Sequence, residues 1–357
     1  MGYVERVDRP KPWRAVYRAP DGRRHSKSFA RKVDAERWLK VSEAETITGQ
    51  WVDPNAGTKL FGPYAEEWIT FKRTTVGETT ATNTASLLRA RVLPEFEGKQ
   101  LKKITTAHVR RWLAAMTEEG LSASTVHTYR KILVQVMDQA VDDGLIVSNP
   151  VAKAKAPSVR PRRQLFLTAD ELRSLAVECG DYGPLVWFLG WSGLRFGEAT
   201  ALRVGRVDPA RRRVRVEEAA TEVAGRLIFG LPKTHEARTV IVPKFVIAAI
   251  QPLLDGRDTD ELVFAGPRGG PVRLNNFRRR VFAPAAERIG KPGLVPHDLR
   301  DTAASLAISA GASIKVVQRI LGHASAKMTL DVYGSLFEED LETFADRLEE
   351  RYSDPSL

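Results

Sequence analysis

The chain has 357 residues, of which 43% are hydrophobic, so its length allows two or three buried cores and its composition excludes a wholly disordered protein. Its 55 Lys and Arg residues outnumber its 44 Asp and Glu residues. The resulting net charge of +11 favours a polyanionic partner such as nucleic acid, although basic composition alone is weak evidence for one.

Cysteine use and the apolar runs limit the cellular context. The single cysteine, Cys179, lies in an apolar periodic run, which indicates a buried thiol and excludes both an internal disulfide and a cysteine-based zinc site. The start of the chain lacks the apolar core of a signal peptide, and no run approaches the roughly 20 apolar residues that span a bilayer. We therefore expect a protein that stays inside the cell, with no membrane partner.

Residues 1–57 are predicted to form a small basic domain. Two alternating runs flank a Pro-Asp-Gly turn signal at residues 20–22 and predict a β-hairpin. A helix is predicted over residues 31–48, with these apolar residues on one face: Val33, Trp38, Leu39 and Ile47. A basic sheet backed by a helix can lie along a DNA groove, and an ordinary solvated face is the alternative. The residues expected to contact DNA are Arg14, Arg18, Arg23, Arg24 and Lys27.

Residues 58–152 are predicted to form a helical bundle, because four runs carry apolar residues at helical spacing. Pro94 and Gly98 are expected to separate the second helix from the third, and Gly144 to end the fourth. The bundle is either purely structural or a clamp on one side of a duplex. Its expected DNA contacts are Lys102, Lys103, Arg110, Arg130 and Lys131. Residues 153–167 are predicted to be an exposed basic linker.

Residues 168–357 are predicted to form a mainly helical domain with a small antiparallel sheet. Thr168 and Glu171 match a capping box at the start of its first helix, and a very apolar helix is predicted over residues 183–192. Between residues 208 and 243 the pattern changes to period two and predicts three short strands. The fold class predicted for the whole chain is therefore multidomain α+β.

Two cationic side chains precede the last third of this domain. Arg195 and Glu198 lie three residues apart on a predicted helical turn, where they can pair and fix the guanidinium. Taken alone, such a pair is typical of a surface salt bridge. Lys233 is predicted at the hairpin tip between the second and third strands, where a lysine is either simply solvated or able to donate a proton to a phosphate's leaving oxygen.

Residues 296–333 concentrate two imidazoles, a guanidinium and a phenol, namely His297, Arg300, His323 and Tyr333. These groups permit phosphodiester transfer: Arg195 and Arg300 can clamp the nonbridging oxygens, the imidazoles can donate hydrogen bonds or move protons, and the phenol can form a covalent intermediate. Such chemistry needs no ATP, metal ion or other cofactor. A metal site of the histidines with Asp298 or Asp301 is the competing use, but no HExxH-like spacing supports it.

Five motifs occur in order across residues 168–357: GLRFGEATAL, LPKTHEARTVIVP, HDLRDTAAS, LGHAS and TLDVYGSL. With these five motifs in this order, the chain resembles the tyrosine recombinase, or phage integrase, family. The two upstream domains resemble the arm-binding and core-binding domains of the larger members of that family. The motifs depart from the commonest pattern at two positions without catalytic roles, Val204 and Ser335. The resemblance implies catalytic Arg195, Lys233, His297, Arg300, His323 and Tyr333, with Glu198 supporting the first arginine.

The resemblance also implies a reaction and its partners. A homotetramer on double-stranded DNA attachment sites would cleave and rejoin strands through a 3′-phosphotyrosine and a Holliday junction, and so integrate or excise a phage or mobile element. A DNA-bending host factor and an excisionase are further partners of such systems, and the implied location is cytoplasmic, on the DNA of a bacterial cell. The alternatives are a catalytically silent DNA-binding accessory protein of the same fold and a type IB topoisomerase.

A final helix is predicted after Tyr333. Its apolar stripe is expected either to pack on its own domain or to dock on a neighbouring protomer. The residues of this stripe are Phe337, Leu341, Phe344, Ala345 and Leu348.

Overall fold

The computed structural model describes residues 2–20, 22–48, 51, 53, 56–159, 164–223, 225–231, 237–337 and 341–352. The chain divides into two compact units, Met1–Pro161 and Arg162–Leu357. No helix in the described part of the chain has both the length and the apolar character needed to cross a membrane.

The first unit begins with a three-stranded antiparallel sheet covered by one helix. Its elements are β1 (Tyr3–Arg6), β2 (Trp13–Arg18), β3 (Arg24–Phe29) and α1 (Lys32–Ile47). The hairpin of β2 and β3 and the helix confirm the prediction, whereas β1, which pairs with β2, was not expected. The predicted apolar face of α1 is confirmed for Leu39, which is buried, and for Trp38, which packs against the core, but is wrong for Val33 and Ile47, which are exposed. Ala35, which was not predicted, is buried with Leu39 and with Ala15 of β2, since a small side chain lets the helix lie close to the sheet.

A helical bundle with its own apolar core follows. Its helices are α2 (Phe61–Thr75), α3 (Glu78–Leu87), α4 (Leu93–Phe96), α5 (Thr106–Glu118) and α6 (Ala123–Asp142). Thr105 and Ser122 cap α5 and α6 by accepting a backbone N–H three residues later. Gly144, with φ of +66°, lies just beyond the end of α6, as predicted.

Two expectations for this bundle are wrong. Pro94 does not separate two helices: a π-helical turn over Leu88–Val92 joins α3 directly to α4, and Pro94 lies in the first turn of α4. Proline has no backbone N–H to donate, and a wide π-helical turn tolerates the missing hydrogen bond. The start of the predicted linker is not exposed either, because Ala154 is fully buried in the core of the bundle.

The second unit holds the remaining helices and two small sheets. Its helices are α7 (Ala169–Glu178), α8 (Gly183–Ser192), α9 (Phe196–Thr200), α10 (Lys244–Ile250), α11 (Leu274–Phe277), α12 (Ala283–Arg288), α13 (Asp298–Ser309), α14 (Ile314–Leu321), α15 (Ala326–Tyr333) and α16 (Leu341–Tyr352). The capping box of Thr168 and Glu171 forms at the start of α7. Helix α8 is apolar on all sides, because it packs among α7, α10 and α13.

The strands of this unit are β4 (Val207–Asp208), β5 (Arg213–Val216), β6 (Ala219–Val223), β7 (Arg226–Gly230) and β8 (Arg238–Ile241). In the described residues, β5 pairs with β4 and β8, whereas β7 pairs with β6 in a separate two-stranded sheet. The predicted hairpin between the second and third strands is therefore wrong, because β7 and β8 belong to different sheets. Lys233, expected at its tip, lies outside the described residues.

Candidate active site

Arg300 is the most buried cation among the described residues of the second unit. Its side chain leaves the first turn of α13, and the residue is 3% exposed. Nη1 donates to the carbonyl oxygen of Gly193 at 2.5 Å, and Nη2 donates to that of Leu321. These carbonyls end α8 and α14, so Arg300 lies at the negative ends of two helix dipoles. Both acceptors are uncharged, so they orient the guanidinium without neutralising it.

Glu198 organises two more arginines. The carboxylate is 1% exposed and accepts hydrogen bonds from the backbone N–H and Nη1 of Arg195, each at 2.9 Å. Both terminal nitrogens of Arg238 donate to it as well, at 2.9 and 2.6 Å. Burial alone would favour the neutral acid, but the hydrogen bonds from Arg238 and the charges of both arginines hold the pKa of Glu198 below its ordinary value. One buried carboxylate thus fixes two guanidiniums.

Arg238 was missed in the sequence. It lies on β8, two residues before the buried Val240. Side chains two residues apart on a strand share a face, so the alternating pattern of the sequence was the signal that Arg238 points to the inner face. Its side chain lies against Gly322, which ends α14 with φ of +60°. A Cβ at Gly322 would lie 2.7 Å from Nε of Arg238, so glycine permits this close approach.

The arginine cluster, formed by Arg195, Glu198, Arg238 and Arg300, carries excess positive charge. Three guanidiniums against one carboxylate give a net charge of +2. Burial, and next the charge of Arg195, lower the pKa of Arg300 to about 10, at which the group remains protonated at neutral pH. Because the cations are held in place before any ligand binds, the cluster is an anion site with planar donors suited to phosphate.

The tyrosine pair, Tyr333 and Asp301, lies beside this cluster. Tyr333 ends α15, is 2% exposed, and donates its hydroxyl hydrogen to Oδ1 of Asp301 at 2.5 Å. Burial, together with this hydrogen bond, raises the pKa of Tyr333 above its ordinary value, whereas the charge of Arg300 acts in the opposite direction. Asp301 was considered in the sequence only as a metal ligand, although its position directly after Arg300 was the available signal.

His323 packs beside Tyr333. Its ring is parallel to that of Tyr333, with an interplanar angle of 8° and centroids 6.4 Å apart. Nδ1 lies 3.0 Å from the hydroxyl oxygen of Thr329. Burial, followed by the charges of Arg300 and Arg195, lowers the pKa of His323 to about 4, so the imidazole is neutral at physiological pH.

Comparisons with known proteins place this geometry in a family. Three models match the chain in order: the N-terminal domain of phage integrases over residues 6–48, their central domain over residues 61–157, and the phage integrase family over residues 166–339. A protein of Mycobacterium tuberculosis named as a prophage phiRv2 integrase is 32% identical over 334 residues, which cover 89% of this chain and 87% of the relative. The chain belongs to the phage integrase family. The integrase of Mycobacterium phage D29 is 30% identical, covering 91% of this chain and 90% of the relative.

Solved structures have the same fold. The Tn1549 transposon integrase in complex with a circular intermediate DNA has a TM-score of 0.68 at 20% identity, covering 82% of this chain and 99% of that chain. A lambda integrase tetramer bound to a Holliday junction has a TM-score of 0.61 at 20% identity, covering 91% and 94%. These likenesses confirm the predicted fold class. Family membership makes the chain a tyrosine-type site-specific DNA recombinase, and the accessory protein and the topoisomerase are not favoured.

The structure brings most of the site residues predicted by the family resemblance together. These are Arg195, Glu198, Arg300, His323 and Tyr333. His297 lies at the N-terminal end of α13, where its carbonyl accepts the backbone N–H of Arg300 and its side chain is exposed.

The basic residues predicted to contact DNA in the first unit differ in their surroundings. Arg14 and Arg18 alternate along β2, and Arg24 is the cross-strand partner of Arg18, so these three share one face of the sheet. Lys27 is the partner of Ala15 and lies on the other face, beside α1. Five further residues in this prediction are exposed: Arg23, Lys102, Lys103, Arg110 and Lys131.

Arg130 is the exception among the basic residues predicted to contact DNA, because its guanidinium is used within the bundle. Nε donates to the carbonyl of Ala154 at 2.6 Å, and Nη2 donates to those of Val151 and Ala152. These bonds hold the chain that leaves the bundle against α6. The helical pattern of the sequence could not reveal them, because their acceptors are backbone atoms 21 to 24 residues away.

Three consecutive exposed arginines were also missed in the sequence. Arg278, Arg279 and Arg280 lie on the π-helical turn that joins α11 to α12. Phe277, just before them, stacks on Phe196, the residue after Arg195, with ring centroids 5.5 Å apart. This stacking places the basic turn close to the arginine cluster.

Proposed function

We propose that this chain integrates and excises the DNA of a phage or mobile element, and that Tyr333 forms the covalent 3′-phosphotyrosine intermediate. The observation that carries the proposal is the arginine cluster, a preorganised site of charge +2 beside a buried tyrosine. The named relatives, integrases of a prophage and of a phage, support the biological setting. A location on DNA in a bacterial cell follows from this role.

Each site residue has a proposed part in the reaction. Arg195 and Arg300 hold the nonbridging oxygens, whose charge grows in the transition state. Neutral His323 and exposed His297 add hydrogen bonds to the phosphate. Lys233 supplies the proton that the leaving 5′-oxygen needs. Glu198 and Arg238 keep the first arginine in place, and no step requires a metal ion or ATP.

DNA binding is proposed to use basic residues of both units. Arg278, Arg279 and Arg280 neutralise phosphates close to the cleaved bond, because their turn packs against the residue after Arg195. The face of the first sheet formed by Arg14, Arg18 and Arg24 contacts an arm-type site. The exposed Arg23, Lys27, Lys102, Lys103, Arg110 and Lys131 add phosphate contacts.

The domain organisation proposed for this function has four parts. Residues 1–57 form the arm-type DNA-binding domain, residues 58–152 the core-binding domain, residues 153–167 the linker, and residues 168–357 the catalytic domain. The order and extents of the three matching family models support this division.

We further propose a homotetramer on a Holliday junction, with an excisionase and a DNA-bending host factor as partners that set direction. The lambda integrase tetramer bound to a Holliday junction supports the assembly. Leu348 of α16 is 44% exposed in the single chain, which suits docking of this helix on a neighbouring protomer.

Covalent trapping tests the function. The full chain is incubated with nicked duplex fragments of the genome that encodes it, and protein–DNA adducts are recovered under denaturing conditions and sequenced. We expect a site-specific adduct with the wild type and with the control Tyr3→Phe, whose ring is 50% exposed, and none with Tyr333→Phe, which still binds DNA.

Two outcomes would contradict the proposal. Binding without any adduct by the wild type would indicate a silent accessory protein. Relaxation of any supercoiled plasmid without site preference would indicate a topoisomerase.

A further inference from the structure

The hydroxyl of Tyr333 has one hydrogen-bond partner in the described residues, and that partner is Asp301. Asp301 lies on α13, 32 residues before Tyr333, and the 2.5 Å contact joins the reacting oxygen to a carboxylate. Tyr333 is 2% exposed, so bulk water has little access to its ring. The proton that the phenol must lose therefore already lies on the path to Asp301.

We propose that Asp301 is the proton acceptor for Tyr333, a catalytic residue that takes the phenolic proton as the phosphate is attacked. This inference rests on the proposed function, because it concerns the first step of the strand cleavage assigned to Tyr333. Neither the predicted site nor the roles proposed above include Asp301.

His323 is the other base beside the phenol, and the structure disfavours it. Its Nδ1 is engaged with the hydroxyl of Thr329, and its ring lies parallel to that of Tyr333, with centroids 6.4 Å apart and no hydrogen bond between these two described side chains. The neighbouring charges of Arg300 and Arg195 also oppose its protonation, because they lower the pKa of His323 to about 4. An anionic acceptor is favoured by the same arginine charges that disfavour a cationic one.

The step balances in protons and bonds. The Oη–H bond of Tyr333 breaks and its proton moves to Oδ1 of Asp301, while the Oη–P bond forms and the bond from phosphorus to the 5′-oxygen breaks. The 5′-oxygen takes a separate proton from the general acid proposed above, Lys233. In the rejoining step an incoming 5′-hydroxyl attacks phosphorus and gives its proton to Lys233, while the Oη–P bond breaks and Asp301 returns its proton to Oη.

Proton transfer must accompany the attack. A free carboxylate is about six pKa units less basic than a phenolate, so the proton stays on the phenol in the resting state. As Oη bonds to phosphorus, the basicity of Oη falls sharply. A carboxylate in hydrogen-bond contact then accepts the proton within the transition state. The charged and titratable groups facing this pair are Arg300 on α13 and His323 after α14, with Arg195 and Arg238 acting on His323.

Single-turnover adduct formation tests the inference. The full chain reacts with a nicked duplex carrying the site found by covalent trapping, made either with a normal phosphodiester or with sulfur as the 5′-bridging atom. A thiolate leaves without an acid, so sulfur removes the need for leaving-group protonation but not for deprotonation of the phenol. The variants are Asp301→Asn, Asp301→Glu and the control Asp331→Asn, an exposed carboxylate on the helix of Tyr333.

We expect Asp301→Asn to bind DNA normally and to slow adduct formation by about 10²- to 10³-fold on both substrates. Its rate should rise about tenfold per pH unit into the alkaline range, because the phenolate must then form from solvent. The wild-type rate should level off at neutral pH. Asp301→Glu should recover most of the rate, and Asp331→Asn should match the wild type.

Three results for Asp301→Asn would overturn the inference: adduct formation at the wild-type rate or faster, slow formation with the pH profile of the wild type, or full rescue by the sulfur substrate. A fourth would be an Asp301→Glu rate no higher than that of Asp301→Asn although both variants bind DNA. Thermal unfolding and DNA binding of each variant separate these results from misfolding. Absence of an adduct from the wild type would instead overturn the proposed function and, with it, this inference.

Discussion

The arginine cluster and the tyrosine pair lie side by side but differ in how far their charge states are set for reaction. In the arginine cluster, Arg195 and Arg238 are fixed by buried Glu198, and Arg300 is fixed by two helix-end carbonyls. In the tyrosine pair, burial and the contact with Asp301 keep Tyr333 protonated, because they raise its pKa. The arginines are thus charged and held in place, whereas the phenol is neutral.

This difference assigns distinct energetic tasks to the two regions. Holding three like charges together costs folding energy, and the structure offsets it with one carboxylate, two helix dipoles and close packing at Gly193 and Gly322. Holding a neutral phenol costs little. A protonated tyrosine also makes unwanted attack on the wrong phosphate slow, so cleavage depends on a phosphodiester that is correctly placed in the arginine cluster.

Within the arginine cluster, the largest expected effect comes from Arg300→Lys. Lysine retains the charge, but a single ammonium cannot reproduce the planar fork that spans the carbonyls of Gly193 and Leu321 and still faces a phosphate. We expect adduct formation to fall by about 10²- to 10³-fold, with DNA affinity within a few-fold of the wild type. The measurement is single-turnover trapping on the nicked site.

Arg288→Lys is the matched control for this change, because Arg288 forms an exposed ion pair with Glu178. Its adduct rate should stay within about twofold of the wild type. An Arg300→Lys rate equal to that of the control would show that charge alone, and not the fixed fork, prepares the cluster.

Glu198→Gln should affect folding more than any exposed carboxylate does. It removes the buried negative charge that two partly buried guanidiniums share, and breaking such a pair typically costs about 3–5 kcal/mol of unfolding free energy. Urea unfolding at pH 7 measures the loss. Glu261→Gln, which breaks a surface pair with Arg257, should cost about 1 kcal/mol or less.

The pH dependence of the Glu198 effect follows from the direction of its pKa shift. Because the folded pKa is lowered, the stabilisation is fully present above the ordinary glutamate pKa of about 4.3 and is lost as pH falls through the lower folded value. Wild type and Glu198→Gln should therefore differ most near neutral pH and converge in acid. A difference that persists unchanged in acid would contradict the assigned charge role.

Local signals explain what could be predicted from the sequence. Helix α8 spans the residues 183–192 that its apolar run indicated, and α7 begins at the capping box of Thr168 and Glu171, because these signals act within a few residues. Pairing of β8 with β5 was not foreseen, since strand partners depend on contacts that are distant in sequence. Pro94 was misread because a wide turn lets the helix continue through it.

The site shows the same division. Residue chemistry and family motifs indicated Arg195, Arg300, His323 and Tyr333. The partners that set their charge states were missed: Arg238 reaches Glu198 across 40 residues, and Asp301 reaches Tyr333 across 32. Chain order reveals which groups are present, but the ionisation of each group depends on neighbours that only the folded structure brings together.

The smallest expected effect is that of alanine at Gly322, compared with alanine at Gly290. The comparison separates backbone strain from side-chain contact within the arginine cluster. Gly322 and Gly290 both have positive φ, +60° and +73°, so alanine at either position strains the backbone by about 1–2 kcal/mol. A Cβ at Gly290 meets no atom within 4 Å, whereas one at Gly322 would lie 2.7 Å from Nε of Arg238. Arg238 cannot simply move away, because both of its terminal nitrogens are bound to Glu198.

Gly322→Ala should therefore lose about 1 kcal/mol more unfolding free energy than Gly290→Ala, since Arg238 must shift and lose part of its hydrogen bonding to Glu198. The same shift should also slow adduct formation. Paired urea unfolding and trapping experiments measure both effects. Equal losses in the two variants would mean that the cluster yields to the added methyl group, and the arginine cluster would then be less rigid than its buried ion pairs imply. A larger loss at Gly322 with a slower reaction would tie preorganisation directly to the glycine that ends α14.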